Sequence, residues 1–492
     1  MRGIRLALSV RMALAVYQRR EPEHDILWQC VHEHLPAFLA RAAEADRPVP
    51  AFVREEFERF SKCGLVEEGC ALVRCGICGF TRLVAQSCKG RGICPSCIAR
   101  RMCDTAAHLV DRVFPSVPMR QWVLSLPVPL RYLMSWDTEL GADVVGFFVD
   151  AVSRHLQETA QRELGLRRLT DAQPGAVCVV QRWGGSVNLN PHLHAIVTDG
   201  VFVREHDGIL KFRPLAEPTR GEIAAVAWAV CERGVALLRR RGQWLDAPAE
   251  DDALAEREPL LAQLYAASLT GTLAMGPRAG QRQLRLFGTA ARDPRSGNGT
   301  MKNGYGFDVD ASVRVPAHDR KRLEALARYT LRPPLSRSRL ERQADGRYRI
   351  RLKKAWSDGS THIVLEGLEL LGRPAALVPP PRVHLTRYYG VFAPRSKLRR
   401  EVVPKPADKE EVVNDCKQEH GPWQAENDRE QQQRRQRRYS WSQLLARVFA
   451  IDVLRCDRCG SRMQRVEWLT QPARIRSLLA ATGPPVGGQA AA

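Results

Sequence analysis

Long apolar runs are missing from this sequence. No window approaches the roughly 20 consecutive apolar residues that a helix needs to cross a bilayer, so no membrane partner is expected. The amino-terminal stretch MRGIRLALSVRMALAVYQRR comes nearest to a targeting segment, but Arg5 and Arg11 interrupt it and no convincing cleavage site succeeds it. The expectation is a soluble, cytoplasmic chain. A GxxxxGK(S/T) loop is absent as well, and without that backbone cradle for phosphates nucleotide hydrolysis is not expected. Internal repeats are missing too. Acidic residues are in short supply: 54 Asp+Glu face 75 Lys+Arg, a formal charge of +21. That surplus favours a polyanionic partner through counterion release, and nucleic acid is the first candidate.

What is present begins with cysteine. The chain has 492 residues, enough for two to four domains, and 14 cysteines, of which those from Cys63 to Cys103 crowd together in and around CxxC pairs. In a reducing compartment that pattern argues for metal. Cys75 and Cys78 are followed, after 15 residues, by Cys94 and Cys97, a spacing that suits a closed tetrahedral structural zinc site. Cys88 is a possible substitute ligand. Cys456 and Cys459 form only half a site, with no partners identifiable from the sequence. Arg82, Lys89, Arg91, Arg100 and Arg101 surround the first cysteines, as a DNA-phosphate contact or as a solvated basic surface.

Patterning divides the chain into consecutive regions. Residues 1–62 read as a helical region and 63–105 as a zinc-ribbon, DNA-binding module. From residue 106 to 355 the order is strand, helix, strand, tight turn, strand, an α+β domain with an antiparallel sheet, carrying a polar, irregular insertion at about 246–304. Residues 356–400 form a basic and aromatic extension, 401–440 a disordered linker, and 441–492 a helix plus CxxC module.

Within NLNPHLHAIVTDGVFV, His192 and His194 flank a single leucine at the start of a strand. Alternate strand residues share a face, so both imidazoles project together while Leu193 points into the core. Two histidines on one sheet face leave coordination positions open, which suits a hard divalent ion, Mg²⁺ or Mn²⁺, that grips a phosphate. On the helix DRKRLEALARYTLRPP, Tyr329 borders the apolar stripe between Arg328 and Arg332, and Pro333 and Pro334 end the helix.

The QRWGGSVNLNPHLH strand, the CKGRGICPSCIARRM ribbon, RQWVLSLPVPLRYL, RYTLRPP, the long WSDGSTHIVLEGLELLGRPAALVPPPRVHLTRYYGVFAPRSKLR segment and DVLRCDRCG together resemble the IS91 family of rolling-circle insertion-sequence transposases. The resemblance implies an HUH single-strand endonuclease with a split βαβ-like catalytic domain. It implies Tyr329 as the nucleophile that forms a 5′-phosphotyrosine link and frees a 3′-OH, with His192 and His194 as the metal pair. HUH enzymes generally add a third ligand, for which Gln181, on the strand paired with the histidine strand, is the candidate. Some members carry a second tyrosine one turn earlier; here that position is Ala325, so the chain resembles a one-tyrosine member. Arg387, Tyr388, Tyr389, Arg395, Lys397 and Arg399 in RYYGVFAPRSKLRR are expected, with Arg328 and Arg332, to hold a single-stranded or hairpin DNA end by stacking and phosphate contact. Host replication machinery as a partner, a nucleoid-associated place in a bacterium and a possible homo-oligomer are implied by the same resemblance. A plasmid or phage replication initiator or relaxase, and a non-catalytic zinc-ribbon DNA-binding protein, are the competing readings.

Overall fold

The computed structural model describes residues 15–16, 21–243, 252–287, 301–302, 305–405, 443–444, 447 and 451–482. From residue 406 on, the expected linker lies outside the described residues, as do most of the helix expected from 441, the RDPRSGNGT part of the insertion and most of the amino-terminal stretch. The chain forms two units, one from residues 1–23, 62–88 and 413–492, the other from 24–61 and 89–412. It thus passes back and forth between them instead of laying down the consecutive modules expected. The reason is non-local pairing, since strand Met463–Leu469 joins strand Cys70–Cys75, which joins Thr81–Ala85, all antiparallel. A helix, Pro472–Thr482, sends buried Ile475 against Cys70 and Leu469.

The second unit is built on a six-stranded sheet. Its strands are β1 (Met119–Ser125), β2 (Gly175–Trp183), β3 (Leu189–Thr198), β4 (Asp308–Val315), β5 (Thr386–Gly390) and the two-residue Met301–Lys302. The spatial order is Met301–Lys302, β4, β1, β3, β2, β5, with every neighbour antiparallel. The histidine strand β3 is therefore central, and its near-continuous burial comes from helices on both sheet faces. On one face Trp122, Leu124, Cys178, Leu193 and Ala195 pack under helices α2 (Thr138–Leu164) and α3 (Arg220–Arg240). On the other, Met119, Val177 and Ile196 pack under α1 (Pro95–Arg112) and α4 (Arg320–Leu331), through Leu109, Val110, Leu323 and Ala327. Period-2 alternation does the sorting: Leu193, fully buried, lies on the α2 face, so His192 and His194 lie on the α1 and α4 face.

Turn chemistry sets the ends of these strands. After β3, Gly200 takes φ +152, and a Cβ there would stand 2.3 Å from the Arg213 carbonyl, so only glycine fits. Asp199 beside it is buried, paired to Arg120 Nε at 2.7 Å and to Arg314 Nε at 2.5 Å.

Two expectations are corrected. The insertion is not uniformly irregular, because helix Pro259–Thr270 buries Leu260, Leu261, Leu264 and Tyr265. Its LLAQLY pattern gives it an apolar face that must be covered. The extension 356–400 is not an appendage either: Ser360–Leu365 pairs with Tyr348–Arg351 in a second sheet, the next helix Gly367–Leu377 is buried, and β5 closes the edge of the main sheet.

Candidate active site and zinc module

The rings of His192 and His194 project from one face of β3 with centroids 4.8 Å apart. His192 Nδ1 donates to the Asn190 carbonyl at 2.7 Å, which leaves its Nε2 lone pair free. His194 Nδ1 meets the Gln121 side-chain amide at 2.8 Å, across the β1–β3 ladder. Burial pushes both imidazoles below their usual range, helped by Arg131 and Arg332 at His192 and by His192 and then Arg332 at His194, which falls to about 3, so both are neutral as metal ligation requires.

Gln181 stands directly opposite His192 on β2. Its Nε2 donates to the Thr330 carbonyl at 2.9 Å and, more weakly, to the Tyr329 carbonyl at 3.4 Å. These belong to the last turn of α4, where carbonyls lack intrahelical donors. Gln181 therefore pins the end of α4 to the sheet and turns its Oε1 away. Among the described residues, Gln181 Oε1, His194 Nε2 and Asn190 Oδ1 are buried without a hydrogen-bond partner. Buried polar atoms without partners are costly, and two acceptor oxygens on one sheet face, Gln181 Oε1 and Asn190 Oδ1, are what a cation would satisfy.

Tyr329 is brought to this face by α4. Asp319 caps the helix by accepting from Arg322 N, Leu323 and Ala327 bury its inner stripe, and the helix ends at Leu331 ahead of the two prolines. The Tyr329 ring stands edge-on to His194, centroids 6.0 Å apart, and is 41% exposed. Arg332 Cζ lies 4.3 Å and Lys353 Nζ 4.5 Å from its centroid. Burial alone would raise this phenol, but Arg332 and then Lys353 hold it below the ordinary tyrosine value. The positive field extends outward, with Arg131 acting on His192, and Arg351 and Arg332 on half-buried Arg339. Such a cluster, next to neutral donors, suits a phosphodiester.

In the first unit, Cys75, Cys78, Cys456 and Cys459 place their sulfurs within 4.8 Å of one another. This corrects the expected zinc set: Cys75 and Cys78 group with Cys456 and Cys459, a full tetrahedral complement, and not with Cys94 and Cys97. Cys94 and Cys97 belong to a different group of cysteines with metal-ligand spacing and open helix α1, with Cys94 as its N-cap and Pro95 in its first turn. Cys88 N donates to Cys63 Sγ at 3.3 Å, so the Cys63 sulfur is in polar contact. The Cys75 thiol is pulled down to about 6, chiefly by the Cys78 backbone N–H and the Ser461 hydroxyl.

Residues 175–400 match the family described as Putative transposase (Y2_Tnp), and residues 30–126 match the one described as Transposase zinc-binding domain (Zn_Tnp_IS91). The chain belongs to the IS91 family of transposases. No curated protein and no solved structure matches it significantly. Membership brings nuclease and transposition activity, interaction with DNA and bound zinc. The first match contains Gln181, His192, His194 and Tyr329; the second ends long before Cys456. Among the described residues of the transposase, no helix is long and apolar enough to cross a membrane.

The remaining expected contacts of the transposase are distributed unevenly. Arg332 is at the tyrosine ring, whereas Arg328 lies near Cys103 of α1 and draws that thiol down against the stronger effect of burial. Arg82 is engaged by the Val453 carbonyl and Asp457, Arg91 Nη2 by the Val383 carbonyl, and Arg101 Nη2 by the Lys89 carbonyl. Arg100 is half-buried, which lowers its pKa. Tyr388 and Tyr389 pack into the cores on opposite faces of the sheet, beside Arg399 and Arg387 respectively, so neither ring is an open stacking platform. Arg395 and Lys397 are exposed. Lys353, Gln121 and Asn190 are the site residues that sequence reasoning missed. Register arithmetic can find Gln121, which comes after Arg120 in the RQW strand, but nothing local marks Lys353.

Proposed function

We propose that the transposase is an HUH endonuclease that nicks and rejoins single-stranded DNA at the ends of a rolling-circle insertion sequence, with Tyr329 as nucleophile. The observation that carries this reading is the approach of Tyr329 to His194 with two cations on the phenol. A phenol has a pKa near 10 and attacks poorly at neutral pH unless its oxyanion is favoured. Arg332 and Lys353 favour it. The phenolate oxygen attacks phosphorus, the bond to O3′ breaks, and the departing oxygen takes a proton from water, leaving a 5′-phosphotyrosine and a free 3′-OH. Rejoining is the reverse step, in which a 3′-OH attacks the phosphotyrosine and returns the electron pair to Tyr329.

A Mg²⁺ or Mn²⁺ ion held by His192 Nε2, His194 Nε2 and Gln181 Oε1 would offset the charge that builds on the phosphate. Two of the orphaned atoms, Gln181 Oε1 and His194 Nε2, belong to that donor set. The Gln121 amide nitrogen faces His194 Nδ1, so for His194 Nε2 to ligate, its proton must move to Nδ1 and the Gln121 amide must turn over to accept it through its oxygen. With Ala325 one turn before Tyr329, the reading has one tyrosine per chain, and the released 3′-OH serves the second transfer and primes host replication.

The test is to incubate the protein with Mn²⁺ and labelled single strands from the ends of its element. A denaturation-resistant protein–DNA species is expected, absent in Tyr329→Phe although that variant still binds DNA. No adduct with any end would leave a DNA-binding module without catalysis, and an adduct that persists in Tyr329→Phe would place the nucleophile elsewhere.

A further inference from the structure

We infer that Cys75, Cys78, Cys456 and Cys459 make a single zinc site assembled from distant parts of the chain, and that this metal clips the carboxy-terminal segment to the amino-terminal knuckle. Three observations converge, none of which depends on the nicking chemistry.

The first is that the two cysteine pairs are built alike. Both read CxxCG, and the glycine takes φ +72 at Gly79 and φ +71 at Gly460, a left-handed conformation that glycine adopts freely. Gly79 N–H donates to the Cys75 carbonyl at 3.1 Å and Gly460 N–H to the Cys456 carbonyl at 2.9 Å. Cys75 N–H donates to the Phe80 carbonyl and Cys456 N–H to the Ser461 carbonyl, both at 2.8 Å. Each is a knuckle that turns its two sulfurs toward one point. The pair Cys94 and Cys97 lacks the glycine and starts a helix instead.

The second is the sulfur spacing. Cys75 to Cys459, Cys78 to Cys456 and Cys78 to Cys459 are each 3.5 Å. Four sulfurs at Zn–S distances of about 2.3 Å stand roughly 3.8 Å apart, whereas a disulfide needs about 2.05 Å. The separations therefore fit a shared cation and not a cross-link. Binding would release the thiol protons as the thiolates form.

The third is the scaffold around the sulfurs. Met463 lies opposite Cys75 in the strand pair, Arg82 is bonded to Asp457 between the Cys456 and Cys459 positions, and Arg458 stands 5.0 Å over the Phe80 ring. The knuckles thus face each other although Cys78 and Cys456 are 378 positions apart. Closing so long a loop costs chain entropy that a short exposed strand pairing offsets poorly, and a metal bond at that point supplies the missing stabilisation.

The test uses full-length protein and measures zinc by elemental mass spectrometry. Cys75→Ser with Cys78→Ser, and Cys456→Ser with Cys459→Ser, should each remove about one equivalent of zinc per chain. The fourfold variant should lose no more than either pair, and Cys459→His, which keeps a ligand, should retain the metal. Unchanged zinc in the Cys456/Cys459 variant, or losses that add, would overturn the shared site. As a check that does not depend on variants folding, a protease site placed within residues 413–440 is cut in the native protein. The carboxy-terminal fragment should stay bound until a chelator removes zinc. A fragment that separates with zinc still in place, or stays after zinc is gone, would overturn the clip.

Discussion

The Tyr329 ring meets the His194 ring edge-on, with planes at 88° and centroids 6.0 Å apart, although the two residues come from a helix and a strand separated by more than 100 positions. That contact joins the group proposed to attack with a group proposed to hold the metal, and the nicking chemistry depends on it.

Lys353 is the site residue with the least obvious purpose apart from the tyrosine. Lys353→Ala is expected to slow single-turnover nicking by roughly 10²-fold, the cost of one electrostatic contact to a developing charge, with little change in DNA affinity. Lys353→Arg should restore part of the rate. Equal nicking rates in wild type and Lys353→Ala would leave this residue without a part in the reaction.

Gln181 has a double role, and Gln181→Glu separates its parts. A carboxylate is at least as good a ligand for a hard cation, so Mn²⁺ should bind as tightly as to wild type in isothermal titration. The same change removes the donor to the Thr330 carbonyl, and the metal-free protein should lose about 1–3 kcal/mol in urea unfolding. Weakened Mn²⁺ binding would confine Gln181 to tethering α4.

Asp199 probes the fold and not the chemistry. Asp199→Ala takes from the buried Arg120 guanidinium its buried carboxylate, leaving only exposed Glu217 and the Ala311 carbonyl, and should cost about 3–5 kcal/mol, whereas Arg314→Ala, which removes a half-exposed partner, should cost under about 1 kcal/mol. Equal effects would mean that the pair is not a desolvated one.

How much of the fold and the site was legible in the sequence depended on the range of the interaction. The period of two around Leu193 and the glycine-rich turn before Asn188 are local, and they sufficed to put His192 and His194 on one face. Gln181 came from hairpin register, and the end of α4 from Pro333. Lys353 reaches Tyr329 from beyond strand Tyr348–Arg351 of a second sheet, a placement that no periodicity encodes. The partnership of Cys75 with Cys459 is more distant still, and nearest-spacing logic favoured Cys94 and Cys97. The shared glycine after Cys78 and after Cys459 was the one local sign that those two pairs belong together. Tyr388 and Tyr389 misled because aromatic residues flanked by arginine look alike whether they stack on bases or fill a sheet edge.

The most direct measurement is anomalous diffraction from crystals soaked in Mn²⁺ with a single-stranded oligonucleotide carrying an element end. The predicted result is a manganese peak shared by His192, His194 and Gln181, with the Tyr329 hydroxyl on the same phosphate. A peak elsewhere, or none at the histidines while DNA is bound, would contradict it.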